Sequence, residues 1–294
     1  MSILESIIMG FIQGVAEFLP ISSSGHLAIG KYVLGLDTEV DMLFDIMLHI
    51  GTLVAVFIAF WEDIKELIIE GFSLIRDLFI NLYIAISRFF SKKTKGEKEY
   101  RKIISSPYRK FVILVIVSTI PTGIIGVAFG DLIEMASNTL IIPGICLLIT
   151  GVELLIADNA KVGSLTAEST TYKKAGIIGL AQGFATLPGI SRSGTTITAC
   201  LLCGLKKEFA VKYSFIMSIP AILGAAVLEL IKFDDNNISG NLILNYAVGT
   251  IVSGIVGYIC IKTMLKIVQG KKLFGFSIYC FIVGAIAIIY YFVK

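Results

Sequence analysis

Glu17, Ser23 and His26 stand close together near the start of the chain, and Arg192 stands between two serines far along it. A carboxylate, a hydroxyl, an imidazole and a guanidinium can supply a base or orienter, a nucleophile and a charge clamp, the kit that phosphoryl transfer requires. No one of these groups is specific, whereas their combination is. Small polar residues surround them: Ser22, Ser24 and Gly25 in the first cluster, Ser191, Ser193 and Gly194 in the second, and Thr196 just beyond. Serines at a helix start most simply cap orphan amides. Two such starts that converge, with glycine-exposed N–H groups, make an anion site instead. Arg192 sharpens this reading, because a guanidinium in an apolar segment is costly and its planar fork suits a phosphate bidentately. A structural pair with Glu17 is the alternative for it.

The two clusters are one motif written twice. Gln13-Gly14 … Pro20-Ile21-Ser22-Ser23-Ser24-Gly25-His26 returns at a constant offset as Gln182-Gly183 … Pro188-Gly189-Ile190-Ser191-Arg192-Ser193-Gly194-Thr195. The same offset places Gly10 on Gly179, Gly35-Leu36 on Gly204-Leu205, and the apolar run from Phe44 on that from Tyr213. Such self-similarity marks an internal duplication. The copies differ where chemistry is decided: Glu17, Ser23 and His26 face Thr186, Arg192 and Thr195, so each half brings different groups to one shared centre.

Those clusters must be held inside a bilayer. Of 294 residues, 56% are hydrophobic and 16% charged, far more apolar than a soluble domain. Apolar runs at 43–61, 111–130, 139–157, 208–231, 243–265 and 274–293 each approach the roughly 20 residues a spanning helix needs. Residues 3–36 and 175–205, which carry the motifs, are broken at Pro20 to Gly25 and Pro188 to Gly194 into pieces too short to cross. They read as re-entrant hairpins whose broken backbone must be buried or line a polar cavity. The expected fold is all-α: one integral membrane domain over 1–294 with six transmembrane helices and two re-entrant helical hairpins in an inverted-topology repeat. Repeat one covers about 1–157, with a cytoplasmic insertion at 62–110, and repeat two about 175–294.

Charge sets the orientation. Arg88, Lys92, Lys93, Lys95, Lys98, Arg101, Lys102, Arg109 and Lys110 form a basic cluster, diluted by Glu97 and Glu99, that the positive-inside rule assigns to the cytoplasm without any nucleic-acid partner. Lys173-Lys174, Lys206-Lys207, Lys262, Lys266, Lys271 and Lys272 then also fall inside, while Asp37, Glu39, Asp41 and both termini fall outside. The hairpins enter from opposite faces with three spans between them, the arithmetic of an inverted repeat. Residues 62–90 carry Ile64, Leu67, Ile68, Leu74, Ile75, Leu78 and Phe79 at helical spacing and read as an amphipathic helix on the inner surface. The N-terminus has no signal-peptide pattern and is expected to remain.

Other candidates carry less. Cys146, Cys200, Cys203, Cys260 and Cys280 sit in apolar segments, and Cys200-x-x-Cys203 has no partner set for a metal, so all five read as small buried hydrophobes. His49, amid Met47, Leu48 and Ile50, reads as a satisfied structural histidine. The rival function is a secondary transporter or lipid flippase on the same scaffold, with Glu17 and His26 relaying protons. Arg192 among serines opposite a nucleophile favours an enzyme.

The segments Glu17-Phe18-Leu19-Pro20-Ile21-Ser22-Ser23-Ser24-Gly25-His26 and Pro188-Gly189-Ile190-Ser191-Arg192-Ser193-Gly194 resemble the two defining motifs of the bacterial undecaprenyl-diphosphatases of the bacitracin-resistance type. The resemblance extends over essentially the whole chain. It implies removal of the terminal phosphate of undecaprenyl diphosphate, a lipid carrier of cell-wall synthesis, at a site open to the outer face of the bacterial plasma membrane. It places the family's acidic residue on Glu17, serines on Ser22 and Ser23, the histidine on His26, the arginine on Arg192 flanked by Ser191 and Ser193, and a threonine contact on Thr196. Either Ser23 or His26 is the nucleophile on this view. A divalent ion, Mg or Ca, is implied as cofactor, with Glu17 its ligand, and a homodimer is left open. Gln13 departs from the many relatives that carry a second glutamate there. Lipid phosphatases of the phosphatidic-acid type also have a Ser-Gly-His element, but they need a second catalytic histidine, and His49 lies in an apolar span with no arginine beside it.

Overall fold

Polar side chains decide where the helices begin. Ser2 accepts from the Glu5 amide while Glu5 reaches back to the Ser2 amide, a capping box that opens α1 (Ile3–Phe18). Ser22 caps α2 (Ser23–Leu34), Ser106 caps α5 (Pro107–Ala128) with proline at its first position, Thr171 caps α8 (Tyr172–Phe184) and Ser191 caps α9 (Arg192–Leu202). The remaining helices are α3 (Met42–Ala59), α4 (Trp61–Phe90), α6 (Gly130–Ser137), α7 (Ile141–Asp158), α10 (Lys207–Lys232), α11 (Gly240–Gln269) and α12 (Phe274–Val293). The computed structural model describes residues 1–35, 42–90, 99–137, 139–232, 240–270 and 273–293. Leu36, Asp37, Glu39, Asp41, Lys92, Lys93, Lys95, Glu97, Lys98, Lys271 and Lys272, which entered the repeat and charge arguments, lie outside them. Among the described residues there is no strand, only a single bridge between Leu165 and Leu205.

Helices α5, α7, α10, α11 and α12 are each long and apolar enough to cross a membrane. The sixth expected span falls on α3, which qualifies as one bent pair with α4, the chain turning by 89° between them. The motif helices are shorter. At 1.5 Å per residue α2 and α9 reach about 18 and 17 Å, against a hydrocarbon core of about 30 Å. The protein is a multi-pass helical membrane protein.

Small residues let the helices approach closely, as they must where lipid gives no hydrophobic drive for helix association. On α1, Gly10 lies against the Gly249 carbonyl and Gly14 against Val256 of α11. On α8, the equivalent Gly179 lies against the Ser118 carbonyl and Gly183 against Ile125 of α5. The pairs α1–α11 and α8–α5 are thus built alike. Between α7 and α12, Gly144 and Gly284 each back onto the other's carbonyl.

Helix α4 differs from a simple amphipathic strip. Its protein-facing stripe includes buried Ile64, Leu74 and Ile84 but also buried Asp77, while Ile68, Ile75, Leu78 and Phe79 are exposed. The apolar residues read together from the sequence therefore occupy two faces. Asp77 and Glu70 turn inward because Arg109, buried at the start of α5, needs them: its guanidinium lies 2.9 Å from Asp77 and 2.8 Å from Glu70. Arg101 adds a bond to Asp77 at 3.0 Å. A hydrogen bond from the Ser106 hydroxyl, joined by Arg109, holds the Glu70 carboxyl below the usual carboxylate range.

Candidate active site

Each hairpin is broken at its tip, and each tip touches the other. Ser22 sits at φ +71°, a left-handed conformation uncommon for a non-glycine residue, and Gly189 sits at φ +94°. A Cβ on Gly25 would stand 3.3 Å from the Gly189 Cα, so glycine at 25 permits the contact. The Gly189 amide donates to the Ser24 hydroxyl at 3.3 Å. The carbonyl at each break meets a side chain of a long apolar helix: Thr150 of α7 donates to Gly189 at 3.3 Å, and the Cys280 thiol of α12 approaches the Pro20 carbonyl at 3.7 Å. Thr150 also accepts from the Ser191 amide at 3.0 Å. In this way irregular backbone at the hairpin tips is paired within protein.

Glu17 ends α1 at this junction, and its side chain is almost fully buried. One oxygen, Oε1, is ion-paired with the Arg192 guanidinium from the other hairpin. The other, Oε2, accepts from the Ser23 hydroxyl at 2.7 Å and from Gln13 Nε2 at 3.0 Å. Gln13, one turn earlier on α1, has Nε2 2.9 Å from His49 Nδ1. His49 thereby comes within 3.7 Å of Glu17 Oε2. It is a satisfied histidine, as its sequence context suggests, yet its partner puts it in the polar cluster.

His26 faces elsewhere. The carbonyl of Ser22, turned by the left-handed backbone, lies 2.8 Å from His26 Nδ1 and also takes the His26 amide at 3.2 Å. A carbonyl only accepts, so Nδ1 carries the proton and Nε2 offers a lone pair. Tyr279 of α12 meets that lone pair with its hydroxyl at 2.8 Å, the two rings stacked with centroids 5.5 Å apart. Glu17, Ser23 and Arg192 are brought together directly; His26 joins the tip through backbone and Tyr279.

The remaining serines and threonines hold the tips in shape. Ser22 accepts from Gly25 at 3.3 Å and Ser191 from Gly194 at 3.1 Å, both as helix caps. Ser193 shares a 3.3 Å contact with Ser191 and reaches the Leu19 carbonyl at 3.5 Å. Thr196, fully buried, donates to the Arg192 carbonyl at 2.7 Å and lies 2.5 Å from the Ser214 hydroxyl. Thr195, the counterpart of His26, donates to Glu153 of α7 at 2.6 Å. Tyr279, Thr150 and Glu153 carry no signal in the sequence beyond lying in apolar spans. A cavity of about 480 Å³ opens between the C-terminal ends of α7 and α9, lined by Val152, Leu155, Ile156, Asn159, Lys161 and Leu202. It lies at the end of α9 opposite Arg192.

A family model described as Bacitracin resistance protein BacA matches residues 6–286. The chain belongs to this family. It is 41% identical over 289 residues to an undecaprenyl-diphosphatase of Methanosphaera stadtmanae, covering 98% of each chain. An undecaprenyl-diphosphatase of Alkaliphilus metalliredigens is 38% identical over 290 residues, covering 99% of each. One of Treponema denticola is 39% identical over 292 residues, covering 99% of this chain and 98% of its own. The match with the BacA family takes in both motifs, α1 to α2 and α8 to α9, together with the spans between them.

Proposed function

We propose that this protein is an undecaprenyl-diphosphatase, an integral membrane hydrolase that removes the terminal phosphate of undecaprenyl diphosphate. The observation that carries the reading is Glu17: its carboxylate touches a hydroxyl of its own hairpin, Ser23, and the guanidinium of the other, Arg192. A base against a nucleophile, with a phosphate clamp alongside, is what transfer of a phosphoryl group uses.

In the proposed reaction Arg192 turns from Glu17 Oε1 to the oxygens of the terminal phosphate, and the first turns of α2 and α9 complete the cradle. Ser22, Ser24, Gly25, Ser191, Ser193 and Gly194 belong to those turns, with Thr196 fixing the Arg192 backbone behind them. Glu17 Oε2 takes the Ser23 proton as Oγ attacks the terminal phosphorus. The bridging P–O bond breaks, and undecaprenyl phosphate leaves with the bonding pair. Glu17 passes that proton to the departing lipid phosphate, takes one from water as the water oxygen attacks the phosphoserine, and returns it to Ser23 Oγ as the P–Oγ bond breaks and inorganic phosphate leaves. Ser23 is favoured over His26 as nucleophile because it already bonds a carboxylate, whereas both His26 nitrogens are engaged. His26 stands by as a proton acceptor through Nε2, the nitrogen that carries the lone pair.

A divalent ion such as Mg²⁺ or Ca²⁺ fits this centre only together with substrate. Among the described residues no three of His, Cys, Asp and Glu stand close enough to hold one. The hard oxygens available are the Glu17 carboxylate and the buried, unpartnered Oε1 of Gln13. Glu17 and Gln13 would hold the ion while diphosphate and water complete its shell. Its chemistry there would be to offset phosphate charge and polarise the bridging bond.

The proposed architecture is a single membrane domain of six spans and two re-entrant hairpins, repeat one about 1–157 and repeat two about 175–294. It is supported by the matching pairs α1–α11 and α8–α5 and by reciprocal contacts at the tips: Gly25 with Gly189, and Gly194 with Pro20, which the repeat offset exchanges. Basic residues at 101–110 and 173–174 support an insertion on the inside and a site toward the outer face, with the polyprenyl tail left in the plasma membrane. Phosphate release from undecaprenyl diphosphate by the purified protein, with and without chelator, tests the reading; an inactive, folded protein would falsify it.

A further inference from the structure

The proposed chemistry leaves His49 without a part, and gives none to the Gln13 amide nitrogen, although both stand at its centre. Gln13 is completely buried, and its amide nitrogen serves two neighbours, Glu17 Oε2 at 3.0 Å and His49 Nδ1 at 2.9 Å. A primary amide has two N–H donors, and both are spent. The orientation is forced. Were the carbonyl oxygen turned toward Glu17, two acceptors would face each other in a buried site, and burial makes an unmade hydrogen bond expensive. With nitrogen toward the carboxylate, the second N–H points at His49, and the ring can receive it only through an unprotonated Nδ1. His49 comes from α3, whose polar side is itself tied down one turn earlier by Asp45, paired with Lys31 of α2 at 2.6 Å. The ring therefore approaches Gln13 from a braced helix.

We propose that His49 is a positioning residue for the phosphatase reaction: its Nδ1 lone pair locks the Gln13 amide, and the locked amide keeps Glu17 Oε2 turned toward Ser23. The inference rests on the reading of Glu17 as the base for Ser23. Glu17 Oε1 and Arg192 take no part in the lock, so phosphate binding is left intact when it fails. What fails is alignment of carboxylate and hydroxyl, and reactions of this kind lose rate steeply when reacting groups are misplaced. The role asks only for an acceptor. Glutamine, whose side-chain oxygen accepts, fulfils it; leucine does not.

The test uses the full-length protein in detergent with undecaprenyl diphosphate as substrate. His49→Leu is expected to lower kcat by about tenfold or more, as misalignment does, while KM stays within about threefold. His49→Gln is expected to recover most of that kcat. Gln13→Leu, which also removes the proposed ion ligand, should lose at least as much kcat as His49→Leu, and the double variant should be no worse than Gln13→Leu alone, because the lock is already broken there. His49→Leu at wild-type kcat, His49→Gln as impaired as His49→Leu, or losses that multiply in the double variant would each overturn the proposal. An inactive wild-type protein would instead remove the phosphatase reading beneath it.

Discussion

Gly194 is packed so tightly on Pro20 that a Cβ at position 194 would stand 3.2 Å from the Pro20 Cβ. These residues lie in different motifs, and their apposition joins the two hairpin tips. Disulfide-linked β-carbons lie about 3.5–4.5 Å apart, so a pair of cysteines here needs only a small adjustment. In a background without the five native cysteines, Pro20→Cys with Gly194→Cys should cross-link under mild oxidant. Mass spectrometry of unreduced peptides reads the result, and absence of the bond in folded protein would mean that the tips stand apart.

Arg192 is expected to resist conservative replacement. Arg192→Lys keeps the charge but not the planar fork that holds two phosphate oxygens; turnover of undecaprenyl diphosphate should fall by about 10²-fold or more, within the range for a lost transition-state donor. Full activity of the lysine variant would make Arg192 a counter-ion to Glu17 and nothing else.

Ser23 and His26 should separate in kinetics. Ser23→Ala, lacking the proposed nucleophile, is expected to lose about 10³-fold or more in kcat while still binding a non-hydrolysable diphosphate lipid. His26→Ala should lose less, and Tyr279→Phe, which frees Nε2 of His26, less again. The reverse order for Ser23 and His26 would move the nucleophile to the imidazole.

Side-selective labelling tests the orientation apart from the chemistry. Cysteine in place of Lys102 should react with an impermeant reagent only from the cytoplasm, and cysteine in place of Asp131 only from outside. Reaction of both from one face would undo the topology.

Acid should loosen α4 before it touches the spans. Glu70 ionises more easily in the folded protein than in the unfolded chain, so its contribution is present above the unfolded carboxyl value of about 4.3 and is lost as pH falls through the folded value. Hydrogen exchange across 62–84 and 106–110 should therefore accelerate below about pH 4, and Glu70→Gln should remove the share that Glu70 carries, leaving the share of Asp77, which Arg101 and Arg109 also hold below the usual carboxylate range. An unchanged exchange profile down to pH 3 would mean that the Ser106 and Arg109 bonds to Glu70 do not hold this helix.

The spans were legible because twenty apolar residues in a row have few other uses, and the helix starts because Ser22, Ser106, Thr171 and Ser191 announce themselves. The convergence of Glu17 with Arg192 was legible from the duplicated motif alone. The partners of His26 and Gln13 were not. Tyr279 lies 253 residues from His26, and His49 lies 36 residues from Gln13 on a helix whose pattern is otherwise apolar; only packing of α12 and α3 brings them in. The inward side of α4 was not legible for a related reason: a period shows that a helix has sides, while buried Arg109 decides which side turns inward.

The hairpin tips borrow their last hydrogen bonds from α7 and α12, Gly189 from Thr150 and Pro20 from Cys280. During synthesis, α1 and α2 therefore leave the ribosome with an incomplete turn and wait for nearly the entire chain before α12 arrives to finish it, whereas α8 and α9 find α7 already made. The portion translated first is the portion completed last.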